Sequence, residues 1–509
     1  MRKIIAILLI AFLPLCLSAQ EEEFEVLLGD CLPTGLPQQS YARLSEQSAM
    51  HRLPSIINEW DANKTYHQLV ILVEFDDLLF AQENPKELYH RMLNESGYNK
   101  RAGAGCMADY YRVQSNGLFN LQFDIYGPYQ VSQKAQPYEH PTASTRNYGK
   151  ESFREAVQKL LEENPSIDFS QYDWDGNGTV NQVVFVYAGI GGNVSSTTIS
   201  ALGYIWPNTS TFSTITTPDG KKISDYTASA ELFPSASVLS CGFGTICHEF
   251  THSLGLPDIY PTAKSDDLPF SVCDEWELMD GGNFTNYGWC PPSLTSLERM
   301  LLGWQTPIEL TEAASITDMP AYSQGGTVYR IRHSDNEYLL LENRQLTGWD
   351  AGTPGHGLLI WYVNYDESAW KSNTVNNTPK SPRFHPIYAD GMDYEQWNKY
   401  YKEQRDKDPN YSAYQKSGHM NKRHLSTAPF PYGDVNSLVD EYITNITEKE
   451  GGLVSFDFKG GATGIRSVNT LLSPYTYYDL QGCGVENPVR RQLYIVRRAD
   501  GSMCKSIYR

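Results

Sequence analysis

Residues 247–258 read Cys-His-Glu-Phe-Thr-His-Ser-Leu-Gly-Leu-Pro-Asp, and the rest of the chain is organised around this stretch. On an α-helix, residues four positions apart lie on one face, so His248 and His252 present their imidazoles to the same point. Paired imidazoles at this spacing are typical of a zinc site, in which one coordination position stays open for water. Glu249 follows the first histidine directly, so it is the candidate general base beside the metal.

The residues around the histidine pair favour a helix that ends at Gly255. Ile246, Phe250 and Leu254 recur every four residues and form an apolar face behind the metal face. Glycine tolerates the left-handed backbone conformation with which many helices end. The chain can then turn back and deliver Asp258 as the third ligand, which completes the pattern HExxHxxGxxD.

Residues downstream of the motif provide further candidates for the same site. The carboxylates of Glu275 and Asp280 compete with the motif's aspartate for the position of third ligand. Met279 stands before Asp-Gly-Gly, where a methionine on a tight turn (a Met-turn) can form an apolar floor under the metal. Tyr287 and Tyr260 are candidates for the donor that stabilises an oxyanion. Such residues also occur where they only pack, so these roles depend on the motif.

A second group of oxygen-bearing side chains follows the spacing of a calcium loop. Its candidate ligands are Asp173, Asp175, Asn177 and Asn181. The bidentate glutamate that ends an EF-hand loop is replaced here by a valine. Two interpretations stay open: a structural Ca²⁺ site, or an Asx-rich turn that leads into a buried strand at residues 183–188.

The start of the chain predicts export. Residues 1–19 combine a basic start, a short apolar run and Ser-Ala before the cleavage point, as in a secretory signal peptide. A lipoprotein signal through Cys16 is the alternative, but the residue before it is a leucine rather than a small residue. Residues 20–64 are interpreted as a pro-segment or spacer. Asp30 or Cys31 could keep a zinc site latent there, but a disulfide or a free structural thiol is the favoured interpretation of Cys31.

Composition excludes some partners. The chain has 509 residues and a formal net charge of −19, which argues against nucleic acid and suits a soluble exported protein. After the signal peptide, the sequence has no apolar segment long enough to span a membrane. Because the protein is predicted to be exported, some of its cysteines are expected to form disulfides.

Residue patterns divide the chain into an α+β part and two β-rich parts. Residues 65–310 alternate strand and helix patterns, with a buried strand at 69–75, a half-buried strand at 119–123 and a helix at 151–161. Residues 311–462 contain short strands separated by turn residues. Residues 463–509 are predicted to form a small C-terminal β module.

Several separate motifs agree on one family. They are Leu-Val-Ile-Leu-Val-Glu-Phe at 69–75, Asp-Tyr-Tyr at 109–111, Gln-Ser-Asn-Gly at 114–117, Asp-Gly-Asn-Gly at 175–178, Leu-Met at 278–279, Leu-Gly-Trp at 302–304, Leu-Leu-Glu-Asn-Arg at 340–344 and Pro-Gly-His-Gly-Leu-Leu-Ile-Trp at 354–361. Together with the zinc motif, they resemble the immune inhibitor A-like family of secreted bacterial zinc metallopeptidases. The resemblance covers residues 66–460.

The resemblance implies a zincin-like (metzincin-type) catalytic domain followed by a β-sandwich domain. It implies endopeptidase activity on protein or peptide substrates, with Zn²⁺ held by His248, His252 and Asp258 and with Glu249 as the base. The C-terminal module resembles the sorting domains of type IX secretion, which implies the secretion machinery as a partner.

These observations predict a secreted zinc-dependent endopeptidase that hydrolyses peptide bonds with a metal-activated water. One alternative is a catalytically idle surface adhesin that binds host protein or glycan through its β domain. The intact His248, Glu249 and His252 argue against it, because a retired site has no need of its base. A second alternative is a metal-dependent hydrolase of non-peptide substrates, which would use the same site.

Overall fold

The structure is a computed structural model of the chain. It describes residues 60–98, 100, 103–136, 148–192, 204–232, 241–263, 268, 271–379, 381–389, 399, 403, 407, 432–435, 442–461, 475–478, 484–485, 493–498 and 503–507. The predicted signal peptide, Cys16 and Cys31 lie outside the described residues, as does most of the predicted pro-segment. Within the described ranges, no helix combines the length and hydropathy that a membrane crossing requires.

The first part of the chain forms a mixed five-stranded sheet with helices. Its elements are β1 (Thr65–Glu74), α1 (Pro85–Asn94), α2 (Met107–Gln114), β2 (Asn120–Gln130), α3 (Lys150–Glu163), β3 (Val183–Ile190), β4 (Asn208–Thr216), β5 (Lys222–Leu232), α4 (Gly244–Ser253) and α5 (Ser296–Leu301). The strand order is β2-β1-β3-β5-β4. All neighbours are parallel except β4, which ends the sheet antiparallel to β5. The mixed α/β prediction for this part is confirmed.

Strand β1 is apolar at consecutive positions from Leu69 to Val73 because both of its faces are covered there. Val70 and Leu72 pack into the hydrophobic cluster that contains the apolar side of α4, including Phe250. Leu69 and Ile71 point to the other face and join the cluster around α3. A strand with helices on both faces needs apolar residues at consecutive positions, as the sequence predicts. The sheet therefore supports α4 from one side.

Helix α5 begins at Ser296, after the Pro291-Pro292 pair. Thr295 is the N-cap, and its side-chain oxygen accepts a hydrogen bond from the backbone N–H of Glu298 at 3.3 Å. The Glu298 carboxylate in turn accepts from the backbone N–H of Thr295 at 2.6 Å. This reciprocal capping box sets the helix start, and the two prolines belong to the segment before it.

The second part of the chain contains two β-sheets. Its elements are β6 (Ile308–Glu309), β7 (Ala314–Met319), β8 (Tyr329–Arg332), β9 (Glu337–Arg344), β10 (Gly357–Asn364), α6 (Glu367–Lys371), β11 (Phe384–Pro386), β12 (Tyr432–Val435), β13 (Ile443–Lys449) and β14 (Leu453–Phe458). One sheet has the order β11-β10-β9-β8-β6 and the other β12-β13-β14-β7. The β-rich character predicted for this part is confirmed.

The last described elements form a separate four-stranded sheet. They are β15 (Tyr475–Tyr478), β16 (Gly484–Val485), β17 (Leu493–Arg498) and β18 (Met503–Ile507). Their order is β16-β15-β17-β18, and every pairing is antiparallel. The strand predicted at residues 493–496 is confirmed as part of β17.

Strand β9 joins the two parts of the molecule. Leu339 and Leu341 belong to the cluster that the two sheets of the β-rich part share. Tyr338 and Leu340 alternate with them and belong to the cluster that also contains α4. That cluster includes residues on both sides of the predicted boundary between residues 310 and 311. The β-rich part therefore shares a hydrophobic core with helix α4.

The expected disulfides are not found among five cysteines of the described part. Free thiols are present at Cys106, Cys241, Cys247, Cys273 and Cys290. Four of these side chains are buried.

Candidate active site

Helix α4 and the loop after it bring three predicted metal ligands together. The Nε2 atoms of His248 and His252 lie 3.2 Å and 3.1 Å from Oδ1 of Asp258. All three side chains are buried, and among the described residues they form a group that could hold one metal ion. Three converging donors, two of nitrogen and one of oxygen, suit a zinc site with an open fourth position.

Backbone carbonyls set the orientation of both imidazoles. Nδ1 of His248 lies 2.9 Å from the carbonyl oxygen of Leu278, and Nδ1 of His252 lies 2.8 Å from that of Leu256. A carbonyl oxygen can only accept, so Nδ1 carries the hydrogen in each ring. Nε2 of each ring then faces Asp258 and, in a neutral imidazole, is the nitrogen left to bind a metal.

The glycine predicted to end the helix does so. Helix α4 ends at Ser253, and Gly255 has a φ of +103°, a conformation that favours glycine. The predicted apolar back face is also confirmed, since Ile246, Phe250 and Leu254 are all buried. The turn at Gly255 carries the chain back towards the histidines, which brings the loop aspartate to them.

The second oxygen of Asp258 is held by a residue of the β-rich part. Oδ2 accepts a hydrogen bond from Nδ2 of Asn373 at 2.7 Å, and the backbone N–H of Asp258 donates to Oδ1 of the same asparagine at 2.7 Å. Burial alone would raise the pKa of Asp258, but the adjacent His252 and His248 hold it well below its usual range. Sequence reasoning missed Asn373, because the contact joins residues 115 positions apart.

The two competing carboxylates lie outside this group. The Asp280 carboxylate accepts hydrogen bonds from the hydroxyl of Ser271 at 2.5 Å and from the backbone N–H groups of Val272 and Cys273 at 3.0 Å and 2.7 Å. The Asp280 carboxylate therefore stabilises the loop at residues 271–273. Glu275 is likewise outside the three-residue group.

The turn predicted to form the floor of the site contacts both halves of the motif. Met279 is fully buried, and its carbonyl oxygen accepts a hydrogen bond from the backbone N–H of Ile259 at 2.9 Å. The preceding carbonyl, of Leu278, contacts the His248 ring. The turn thus fixes the ring and the ligand loop relative to one another.

Glu249 is 8% exposed and lies next to the ligand group. In the metal-free protein, burial raises its pKa to about 7, with His248 lowering it and Asp258 raising it. The hydroxyl of Thr209 on the edge strand β4 donates to the backbone carbonyl of Glu249 at 2.5 Å and lies 3.4 Å from its Oε2. The edge strand is therefore anchored to the helix at the candidate base, a contact that sequence reasoning missed.

The two tyrosine candidates differ in position. The ring of Tyr260 is parallel to that of His248, with 6.4 Å between the centroids and 11° between the planes. Tyr287 has a left-handed backbone conformation with φ +59°, and its carbonyl oxygen accepts from the backbone N–H of Gly242 just before α4. Tyr260 thus lies beside the ring of a candidate metal ligand, and the oxyanion role of both tyrosines stays a prediction.

A tyrosine of α2 contacts helix α4. The hydroxyl of Tyr111 donates to the carbonyl oxygen of Cys247 at 3.0 Å and lies 2.8 Å from the hydroxyl of Thr251. Its ring packs against Phe250 with 5.1 Å between the centroids. The Asp-Tyr-Tyr motif at residues 109–111 therefore acts on the site through the backbone of α4.

The candidate calcium loop has its oxygens engaged with protein donors. Oδ2 of Asp173 accepts from Nζ of Lys221 at 2.7 Å and from the backbone N–H of Gly178 at 2.9 Å. Asp175 accepts from the side chain of Asn177 at 2.9 Å, and the Asn181 side chain accepts from the backbone of Trp174. These contacts match the Asx-rich turn that the sequence left open. A Ca²⁺ site here stays a prediction.

Comparison with known proteins agrees with this geometry. Residues 57–299 match the family model for the immune inhibitor A peptidase M6 catalytic domain. The pre-pro-metalloprotease PrtV of Vibrio cholerae serotype O1 (strain M66-2) is 22% identical over 341 residues, which are 60% of this chain and 35% of that protein. Immune inhibitor A of Bacillus thuringiensis subsp. alesti is 25% identical over 260 residues, 42% of this chain and 36% of that protein.

The chain spans about a third of the length of these curated relatives. The matched region contains β1 to β5, helix α4 and the three converging ligands, while the β-rich part lies beyond it. The comparisons therefore support a metallopeptidase domain of the immune inhibitor A peptidase M6 family within residues 57–299.

Proposed function

We propose that this protein is a secreted zinc-dependent endopeptidase. The observation that carries the proposal is the convergence of two Nε2 atoms and one carboxylate oxygen, all within 4.8 Å of one another, beside Glu249. In this proposal the five-stranded sheet and α4 form a zincin-like, metzincin-type catalytic domain. The two sheets behind it form a β-sandwich.

His248, His252 and Asp258 would hold the zinc ion. When bound, zinc supplies Lewis acidity, which makes water nucleophilic at neutral pH. Glu249 accepts the proton of the attacking water and delivers it to the amine that leaves when the peptide bond breaks. Its side chain is buried next to the three ligands, where this proton transfer would take place.

The edge of the sheet supports a peptide as the substrate. Strand β4 is the last strand of its sheet and is attached to α4 through Thr209 and the backbone of Glu249. An extended peptide can pair with such an edge through main-chain hydrogen bonds, which brings its amide bonds alongside the helix. The similarity to proteins named as metalloproteases supports the same substrate class.

Export is proposed from both ends of the chain. Residues 1–19 have the composition of a secretory signal peptide. The sheet of β15 to β18 is the separate module whose sequence resembles a type IX sorting domain. We propose that it contacts the secretion machinery.

Hydrolysis of casein by the natively purified protein tests the proposal. We expect proteolysis that a zinc chelator abolishes and that added Zn²⁺ restores, with about one zinc ion per chain by elemental analysis. If the purified protein is inactive and metal-free, and added zinc does not activate it, the surface adhesin would remain as the function. Stoichiometric zinc without cleavage of casein or a peptide library would favour a non-peptide substrate.

A further inference from the structure

Three asparagines after helix α6 bind the loop that carries the third metal ligand. They are Asn373, Asn376 and Asn377, and we call residues 373–377 the asparagine segment. Asn376 donates to the carbonyl oxygen of Ile259 at 2.8 Å, and Asn377 accepts from the backbone N–H groups of Thr262 and Ala263 at 2.8 Å and 3.0 Å. A segment of the β-rich part is therefore bonded along most of the loop that follows the zinc motif.

Asn373 makes the contact closest to the site. Its amide both donates to Oδ2 of Asp258 and accepts from the backbone N–H of the same residue, each at 2.7 Å. The carboxylate can only accept and the backbone N–H can only donate, so the two contacts fix which amide atom faces which. Asp258 is thereby held at two points, with Oδ1 left towards the histidine rings.

Asn373 is itself held firmly. It is 2% exposed and has a left-handed backbone with φ +56°, which asparagine tolerates better than most residues. Its carbonyl oxygen accepts from the hydroxyl of Thr262 at 2.5 Å. Trp370, three residues earlier, is buried in the cluster shared with α4. The asparagine is thus supported by the core and not by a mobile surface loop.

The position of Asp258 on a loop explains why its contact with Asn373 is useful. His248 and His252 are placed by a helix, whereas Asp258 lies on a loop beyond Gly255, where the backbone is not fixed by helical hydrogen bonds. A loop ligand loses conformational freedom when a metal binds, and this loss weakens binding unless the loop is already ordered. Residues that orient a metal ligand through hydrogen bonds often change metal affinity roughly 10- to 100-fold when they are removed.

We infer that Asn373 is a positioning residue that pre-orders Asp258 for metal binding, so that the β-rich part completes the metal site of the catalytic part. The inference rests on the proposed function, since it assumes that His248, His252 and Asp258 hold zinc. It also means that residues 57–299 contain the ligands but lack the residue that orients one of them.

The test compares Asn373→Gly with Asn445→Gly in the full chain. Both asparagines have left-handed backbones, with φ +56° and +54°, so glycine removes the side chain without backbone strain. Asn445 also donates to an aspartate at 2.7 Å, but its partner Asp457 belongs to β14 and not to the site. The control therefore removes a similar contact elsewhere in the β-rich part.

Two readouts are measured besides activity. Zinc affinity is determined by competition with a chromophoric chelator, and amide hydrogen exchange of the metal-free protein is followed in peptides that cover residues 255–263. We expect Asn373→Gly to bind zinc roughly 10- to 100-fold more weakly and to exchange faster in this loop. Asn445→Gly should match the wild type in both. Asn373→Ser, which keeps a polar side chain but cannot span both contacts, serves as a second variant if glycine prevents folding.

The outcomes separate this inference from the proposed function. The inference would be overturned if the wild type binds zinc and the Asn373 variants bind it with an affinity within about twofold of the wild-type value. The proposed function would then be left intact. Unchanged exchange in the loop of the metal-free variants would overturn it as well, whether or not the wild type binds zinc. A wild type that binds no zinc would refute the proposed function and, with it, the role of Asn373 at a metal site.

Discussion

The carbonyl oxygen of Leu278 lies 2.9 Å from Nδ1 of His248, although 30 positions separate the two residues. This contact fixes the tautomer and the direction of a metal-ligating ring. The neighbouring carbonyl, of Met279, accepts from Ile259 directly after the third ligand. One turn thus holds both a candidate ligand of the helix, His248, and the loop that carries Asp258.

Replacement of Glu249 by glutamine should remove hydrolysis and keep the metal. Glutamine has nearly the same shape, but it cannot accept the proton of the attacking water. We expect kcat/KM on a peptide substrate to fall by at least roughly 100-fold, in line with the usual contribution of a general base. Zinc content should stay at the wild-type level, because the three ligands are unchanged.

Glu312→Gln is the matched control for this variant, since it makes the same carboxylate-to-amide change at an exposed position outside the site. It should keep substantial activity. Glu249→Gln protein with activity within roughly tenfold of wild type would show that another group takes the proton.

Replacement of Asp258 by asparagine should weaken zinc binding, whereas Asp280→Asn should not. The first change removes the negative charge of a ligand and the carboxylate to which Asn373 donates. The second removes an acceptor for three donors in the loop at residues 271–273. It should lower the free energy of unfolding by about 1–3 kcal/mol and leave zinc affinity unchanged.

Chelator competition and chemical denaturation of both variants separate the two roles. If Asp280→Asn lost zinc and Asp258→Asn kept it, the third ligand would have been assigned to the wrong carboxylate.

Sequence alone was sufficient for the parts of the site that are local in the chain. His248, Glu249, His252 and Asp258 lie within eleven residues, and helical periodicity together with Gly255 relates them geometrically. The apolar run at residues 69–75 predicted the buried strand β1 for the same reason, since alternation of faces is a property of the strand itself.

Contacts between distant segments could not be read from spacing. Asn373 and Asp258 are 115 positions apart, and the hydroxyl of Tyr111 reaches the backbone of Cys247 across 136 positions. Their residue types are common in loops and cores, so neither carries a local signal.

Replacement of Arg344 by methionine should destabilise the whole described α/β and β-rich unit. Its fully buried guanidinium donates to Glu342 at 2.7 Å and to Asp350 at 2.8 Å, and it lies 3.3 Å from the carbonyl oxygen of Ser293 before α5. The variant leaves two carboxylates buried without their cation. We expect the free energy of unfolding to fall by about 3–5 kcal/mol in urea denaturation.

Arg332→Met is the control, because this arginine is 39% exposed and its ion pair with Glu309 spans 3.3 Å. Its effect should stay within about 1 kcal/mol. Equal, small losses for the two variants would mean that β9 does not join the two parts of the molecule energetically.

Replacement of Glu277 by glutamine should make stability less dependent on pH. Burial raises the pKa of Glu277 well above its usual value, and the nearby Glu298 carboxylate raises it further. The folded protein therefore keeps a proton that the unfolded chain releases above its ordinary pKa of about 4.5, so stability falls as pH rises from there towards the raised pKa. The slope approaches 1.4 kcal/mol per pH unit for one proton, and glutamine removes it because it carries its hydrogens at every pH.

Urea midpoints from pH 5 to pH 9 should show the variant gaining on the wild type as pH rises, while Glu312→Gln on an exposed segment follows the wild-type curve. Parallel curves for wild type and Glu277→Gln would show that the carboxyl pair holds no extra proton in the folded state.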